Sequence, residues 1–222
     1  MKKNLTEIIC ILDKSGSMSG LEKDTIGGYN SMLEKQRKEE GEAYISTILF
    51  SDYSEVIHNR EKIDEVKPIT EKEYCVNGCT ALLDAIGDAI KHIRNVHKYA
   101  REEDKPEKTL FIITTDGYEN SSKKYSYEKI KKIIEHQKEK YGWEFMFLGA
   151  NIDAIAEAKR FGINEDMAVN FNCDAEGIST SYGVLAETVS CVRQAGIRNI
   201  GKALGKAWKK EIEEDYKKRR RF

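Results

Sequence analysis

Five side chains carry the chemistry this chain can offer at one place: Asp13, Ser15, Ser17, Thr80 and Asp116, each ending in oxygen. The first three belong to Asp13-Lys14-Ser15-Gly16-Ser17-Met18-Ser19-Gly20, directly after the apolar run Ile8-Ile9-Cys10-Ile11-Leu12. A short continuous apolar run fits a strand buried on both faces of a parallel sheet. The glycines that follow let the backbone turn sharply. Such a strand ends at the carboxyl edge, where open α/β sheets bind ligands. Carboxylate and hydroxyl oxygens there suit a hard divalent cation such as Mg²⁺. The plainer reading of Asp and Ser after a strand is a helix cap and a turn.

Two further stretches bring the remaining oxygens. Thr80 sits in Asn77-Gly78-Cys79-Thr80-Ala81-Leu82, ahead of a helix running to about His97 with Leu82, Ile86, Ala89, Ile90 and Ile93 as its buried stripe. Its hydroxyl is either an ordinary N-cap or a group facing Ser15 and Ser17. Thr109 to Thr115, the most strongly β-forming run of the chain, ends in Asp116-Gly117. Alone, Asp-Gly is a turn; after a buried parallel strand it is a second carboxylate at the same edge as Asp13.

The elements that must position these groups follow from hydrophobic period. Leu21 to Glu40 reads as a helix with Ile26, Tyr29, Met32 and Leu33 inward, and close packing against the sheet accounts for Gly27 and Gly28. Tyr44 to Phe50 is a strand. The turn Ser51-Asp52-Tyr53 is too short for a parallel crossover, so Ser54 to His58 is an antiparallel edge strand with His58 exposed. Asn59 to Tyr74 reads as a polar surface excursion. Helices follow over Ser126 to Lys140 and Ile152 to Phe161, with strands at Trp143 to Leu148 and Ala168 to Phe171. Asp174 caps a helix carrying Tyr182, Leu185, Val189 and Val192. This alternation predicts an α/β fold: a Rossmann-like, doubly wound, mostly parallel sheet with one short antiparallel edge strand and helices on both faces. From Ile200, the spacing of Ile200, Leu204, Trp208, Ile212 and Tyr216 predicts an amphipathic helix with a basic end at Lys217 to Arg221. The expected division is therefore a domain over 1–195 and a helical extension over 196–222.

Composition narrows the function classes. In 222 residues with 34% charged and 40% hydrophobic, a formal net charge of -1 gives no global attraction to nucleic acid or membrane. Nucleic acid could be met only through the basic end, where a solvated terminus is the plainer reading. The apolar run after Met1 is too short for a signal-peptide core and no stretch spans a bilayer, so the expected compartment is the cytoplasm. Five cysteines without a framework spacing predict reduced thiols, and Cys75-x3-Cys79 lacks the second pair a zinc site would need. Ser15-Gly16-Ser17 lacks the pattern of a P-loop or a dinucleotide loop.

Taken together, Asp13-Lys14-Ser15-Gly16-Ser17, Gly78-Cys79-Thr80-Ala81-Leu82 and Thr115-Asp116-Gly117 resemble the metal-ion-dependent adhesion site of von Willebrand factor type A (VWA) domains. The resemblance runs from Leu5 to about Arg193, and three ordered matches are far more specific than one. Asp116-Gly117-Tyr118-Glu119-Asn120 and Leu148-Gly149-Ala150-Asn151 are similar to stand-alone bacterial or phage members. Cys79 departs from the pattern, which commonly has a second glycine there. The resemblance implies that Ser15 and Ser17 touch the cation, that Thr80 does so directly or through water, and that Asp13 and Asp116 hold metal-bound waters. It implies Mg²⁺ as cofactor, with Mn²⁺ or Ca²⁺ as alternatives. Neutral hydroxyls leave the cation's charge only partly compensated, which favours an incoming carboxylate. The function implied is a non-enzymatic, Mg²⁺-dependent module that captures an Asp or Glu of a protein partner. The competing class is a Mg²⁺-dependent phosphohydrolase with Asp13 as nucleophile. Such enzymes place a second Asp two residues on, where this chain has Ser15.

Overall fold

Strand β1 (Lys2–Asp13) is central because its apolar run has no polar face: Ile8 to Leu12 are all buried. It pairs in parallel with β2 (Glu42–Phe50) on one side and β4 (Pro106–Thr115) on the other. The computed structural model describes residues 1–194 and 204–219. Its sheet has the order β3-β2-β1-β4-β5-β6, with β3 (Ser54–Lys62) antiparallel to β2 at one edge and β5 (Glu144–Gly149) and β6 (Ala168–Asn170) parallel beyond β4. The chain thus winds outward from β1 to β3 and then resumes at β4 on the other side of β1. That reversal opens a crevice outside the carboxyl ends of β1 and β4.

Helices α1 (Glu22–Arg37) and α5 (Ala175–Gln194) pack on each other, while α2 (Leu82–Tyr99), α3 (Tyr127–Tyr141) and α4 (Ala154–Arg160) pack in succession. The expected doubly wound α/β architecture is therefore present, with element ends shifted by a few residues. Among the described residues no helix is long and apolar enough to cross a membrane. The cysteines are free thiols.

Three expectations are corrected. His58 is not an exposed edge residue: it is 5% exposed, and its Nδ1 lies 2.9 Å from Thr47 Oγ1. The β2–β3 register shifts on both sides of the Thr47–His58 pair, and such irregularities re-aim a side chain. The excursion over Asn59 to Tyr74 is not all surface, because β3 continues to Lys62 and Ile63, Val66, Ile69 and Tyr74 are buried. Gly28 owes its identity to α5 rather than to the sheet, since a Cβ there would run into the ring of Tyr182, whereas Gly27 faces open space.

The last described helix, α6 (Lys210–Arg219), packs against α5 and β6. Trp208 donates its indole N–H to Asp166 O at 2.8 Å, and the buried Lys209 ammonium donates to Glu165 O and Ala168 O. Ile212 is buried as the apolar seam predicts. Arg219 pairs with Asp174 and Asp215. Ile200, Arg220, Arg221 and the expected boundary at 195/196 lie outside the described residues.

Candidate metal centre

Three loops meet at the crevice. β1 ends at Asp13, whose Oδ1 accepts the Ser15 N–H at 2.7 Å and whose Oδ2 accepts the Thr115 hydroxyl at 2.6 Å. The first bond bends the chain back over the strand end, a common use of Asp in turns. The second ties the end of β1 to the end of β4. Tyr74, from the buried part of the 59–74 segment, donates its hydroxyl to Asp13 O.

The Thr80 loop is fastened from several sides. Gly16 N–H donates to Gly78 O at 3.0 Å, Asn77 N–H to Lys14 O at 2.9 Å, and Ala81 N–H to Ser51 O at 2.8 Å. Gly78 has φ +72°, and a Cβ there would collide with the carboxylate of Asp52, which accepts the Cys79 N–H at 3.1 Å. Only glycine fits that turn. Asn120 holds Thr80 itself, accepting its N–H at 2.9 Å and donating its own N–H to Thr80 O at 3.1 Å.

Thr80 is not the N-cap of α2. The preceding position is Ala81, and the side chain of that cap residue makes no hydrogen bond. The first-turn donors are satisfied by the loop after β4 instead: Glu119 accepts Leu83 N–H at 2.8 Å and Ser122 Oγ accepts Asp84 N–H at 3.0 Å. The helix start is thereby served from outside, and the Thr80 hydroxyl is released from capping.

All five candidate residues come together. Ser15 Oγ and Ser17 Oγ are 3.1 Å apart, and Ser17 donates to Asp116 Oδ1 at 2.6 Å. Thr80 Oγ1 and Ser17 Oγ both border Gly117, at 3.7 and 3.8 Å from where its Cβ would stand. The oxygen spacing suits a small hard cation. Octahedral Mg²⁺ with bonds of about 2.0–2.1 Å has neighbouring ligands about 2.9 Å apart, close to the 3.1 Å Ser15–Ser17 separation. Among the described residues there is no cluster of three or more His, Cys, Asp or Glu that could hold a metal. A cation here would depend on hydroxyls.

Electrostatics point the same way. Burial pushes Asp13 up to about 6, against the hydrogen bonds from Ser15 and Thr115, and the nearby Asp116 adds to the rise. Burial likewise raises Asp116, opposed by Ser17 and Cys173. The closest lysine in sequence, Lys14, is turned away to Glu55 at 2.9 Å. Two buried carboxylates whose proton affinity is raised, with no cationic side chain beside them among the described residues, form a site that a divalent ion would stabilise.

Sequence reasoning named the oxygens but missed their supports: Thr115, Tyr74, Asn120 and Glu119, together with Cys173, whose Sγ is 3.8 Å from Asp116 Oδ2. The run from Asp116 to Asn120 was visible as a motif, but the roles of its last two residues depend on contacts with a loop some forty positions earlier.

No protein-family profile matches the chain, and no curated protein matches it in sequence. Solved structures do. Proximal thread matrix protein 1 from the mussel byssus, solved with a zinc-occupied metal-ion-dependent adhesion site, matches with TM-score 0.57 and 15% identity over 83% of this chain and 46% of its own. A von Willebrand factor type A protein from Catenulispora acidiphila matches with TM-score 0.57 and 15% identity over 83% of this chain and 42% of its own. Manganese-loaded TRAP protein of Plasmodium vivax matches with TM-score 0.57 and 17% identity over 82% of this chain and 74% of its own. This chain therefore spans less than half the length of the mussel and Catenulispora proteins. Its fold is that of VWA domains.

Proposed function

We propose that this chain is a divalent-cation-dependent protein-binding module. The cation, Mg²⁺ first and Mn²⁺ or Ca²⁺ as alternatives, is held by Ser15, Ser17 and Thr80, with Asp13 and Asp116 supplying charge and holding its waters. The observation that carries this reading is the convergence of the Ser15, Ser17 and Asp116 oxygens within 2.6–3.1 Å of one another, with Thr80 alongside. With hydroxyls as direct ligands the ion keeps a strong demand for negative charge, which an Asp or Glu of a protein partner satisfies. The metal-bearing neighbours, zinc in one and manganese in another, support a cation at this place in the fold.

The hydrolase reading is weaker. Such enzymes place a second Asp two residues after the nucleophile as general acid, and here that position is the hydroxyl of Ser15, while Asp13 itself is buried and accepts the Ser15 N–H and the Thr115 hydroxyl. Exposed thiols at Cys75, Cys79 and Cys191 suit a reducing compartment, in keeping with the cytoplasm.

The test is affinity capture on wild-type and Ser17→Ala protein, each with Mg²⁺ and with chelator, beside calorimetric titration of Mg²⁺ and Mn²⁺. Cation binding at one site by wild type alone, and a captured protein lost on chelation, are the expected results. Capture indifferent to both chelator and variant would refute the reading.

A further inference from the structure

The two carboxylates of the candidate metal centre are held in different ways. Asp13 leans on its own neighbourhood, since its partners are the Ser15 N–H and the Thr115 hydroxyl at the ends of β1 and β4. Asp116 is held from two sides. Ser17 donates to its Oδ1 at 2.6 Å, while the Cys173 thiol stands 3.8 Å from its Oδ2. Cys173 belongs to the turn between β6 and α5, so one arm of the centre comes from the edge of the sheet.

That turn has little sheet behind it, because β6 is an edge strand of 3 residues. The turn is Asn172-Cys173-Asp174, closed by the Asp174 N–H on Asn172 O at 3.0 Å. Its two outer side chains are engaged by α6. Asn172 Nδ2 donates to Asp215 O at 3.3 Å and to Asp215 Oδ2 at 2.9 Å. Arg219 pairs with both Asp174 and Asp215, and Asp174 Oδ1 also accepts the Gly177 N–H in the first turn of α5 at 2.8 Å. Guanidinium–carboxylate bonds of this kind fix orientation as well as distance. Lys209, just ahead of α6, fastens β6 itself by donating to Ala168 O. Three consecutive side chains therefore alternate in direction: 172 and 174 go to α6, and 173 goes to Asp116.

We propose that Cys173 is a positioning residue of the cation site and that α6 is the clasp that holds it against Asp116. The inference rests on the reading of Asp13, Ser15, Ser17, Thr80 and Asp116 as a cation site. With the clasp closed, the thiol meets Oδ2 and Oδ1 stays with Ser17. With it open, Asp116 loses its support on one side, and part of the cation's binding free energy goes into orienting the carboxylate. Linkage makes the effect mutual: a cation that binds the clasped form more tightly also steadies the clasp.

The experiment titrates the full chain with Mn²⁺ by calorimetry, comparing wild type with Cys173→Ala, Cys173→Ser and Arg219→Ala. Cys173→Ala is expected to lose about tenfold in affinity, the lower end for supporting partners of metal ligands. Cys173→Ser keeps a donor and is expected to recover most of that loss. Arg219→Ala is expected to lose affinity in the same direction and by less, with circular dichroism that of wild type. A second readout needs no cation: the rate at which iodoacetamide alkylates Cys173, followed by mass spectrometry of its peptide, is expected to rise in Arg219→Ala and to fall in wild type on adding Mn²⁺. Wild-type affinity in both Cys173→Ala and Arg219→Ala, or an alkylation rate unchanged by Arg219→Ala, would overturn this inference and leave the cation site standing. Absence of Mn²⁺ binding by wild type would overturn both.

Discussion

The two ends of one sheet differ in chemistry. At the carboxyl end, loops after β1 and β4 and before α2 gather hydroxyls and carboxylates within hydrogen-bonding distance. At the amino end, aromatic rings stack on one another, Trp143 on Phe111 and edge-on to His97. The difference teaches how a parallel sheet divides its labour. Its carboxyl-end loops can carry polar groups because the crevice at the β1/β4 reversal leaves them room. Its amino end is closed by side chains of the layers themselves, so chemistry there is built from packing residues. Breaking one end should leave the other standing.

The largest effect is expected from Trp143→Ala. Removing a buried ring packed against Phe111 and His97 should cost about 3–5 kcal/mol of stability in denaturant unfolding. Cation affinity of the folded variant should stay within about twofold of wild type, as for distant independent sites. A large loss of cation affinity would mean that the two ends are coupled.

Next comes the double variant Ser15→Ala, Ser17→Ala. Even supporting partners of metal ligands contribute about 10–100-fold to affinity, so removing both hydroxyls should weaken Mn²⁺ by about 100-fold or more in calorimetry. Stability without cation should change little.

A smaller loss is expected from Glu119→Ala. Its carboxylate accepts Leu83, Ser121 and Ser122 N–H groups, and leaving such donors unmet costs about 1–3 kcal/mol. Because Glu119 lets Thr80 escape capping, weaker cation binding should accompany the lost stability. Unchanged binding would separate the helix start from the site.

The smallest effect is in pH. Burial holds Asp13 at about 6 in the folded protein, above the ordinary aspartate value of 3.8, so the folded protein holds this proton more tightly than the unfolded chain. Without cation, this group's contribution is therefore fully present below about pH 4 and is lost as pH rises through about 6. Cation binding needs the carboxylate and acts in the opposite sense. The gain in Tm on adding Mg²⁺ should be larger at pH 7.5 than at pH 5, by a few degrees, at about 2–4 °C per kcal/mol for a chain of this size. A gain independent of pH would remove Asp13 from the site.

The carboxyl end was largely legible in the sequence and the amino end was not, for a physical reason. Asp13, Ser15, Ser17, Thr80 and Asp116 break apolar patterns at strand ends and before a helix, so type and position together expose them. The sheet and its order of elements followed from the same apolar runs. Trp143 and Gln137 sit where apolar periodicity already accounts for them, and nothing local reveals that Gln137 Oε1 is buried without a hydrogen-bond partner among the described residues. His58 was misread because a register shift between strands has no mark in either strand alone. Ile63, Val66, Ile69 and Tyr74 were misread because they anchor an irregular segment without period. Docking of α6 against β6 rests on Trp208 and Lys209 reaching main-chain carbonyls, which residue type does not announce.

Anomalous scattering from a crystal of this chain grown with Mn²⁺ tests the central claim most directly. The account predicts one strong peak about 2.1 Å from both Ser15 Oγ and Ser17 Oγ, beside Thr80 and absent in the double serine variant. A peak elsewhere on the chain, or none at the meeting point of these hydroxyls, would contradict it.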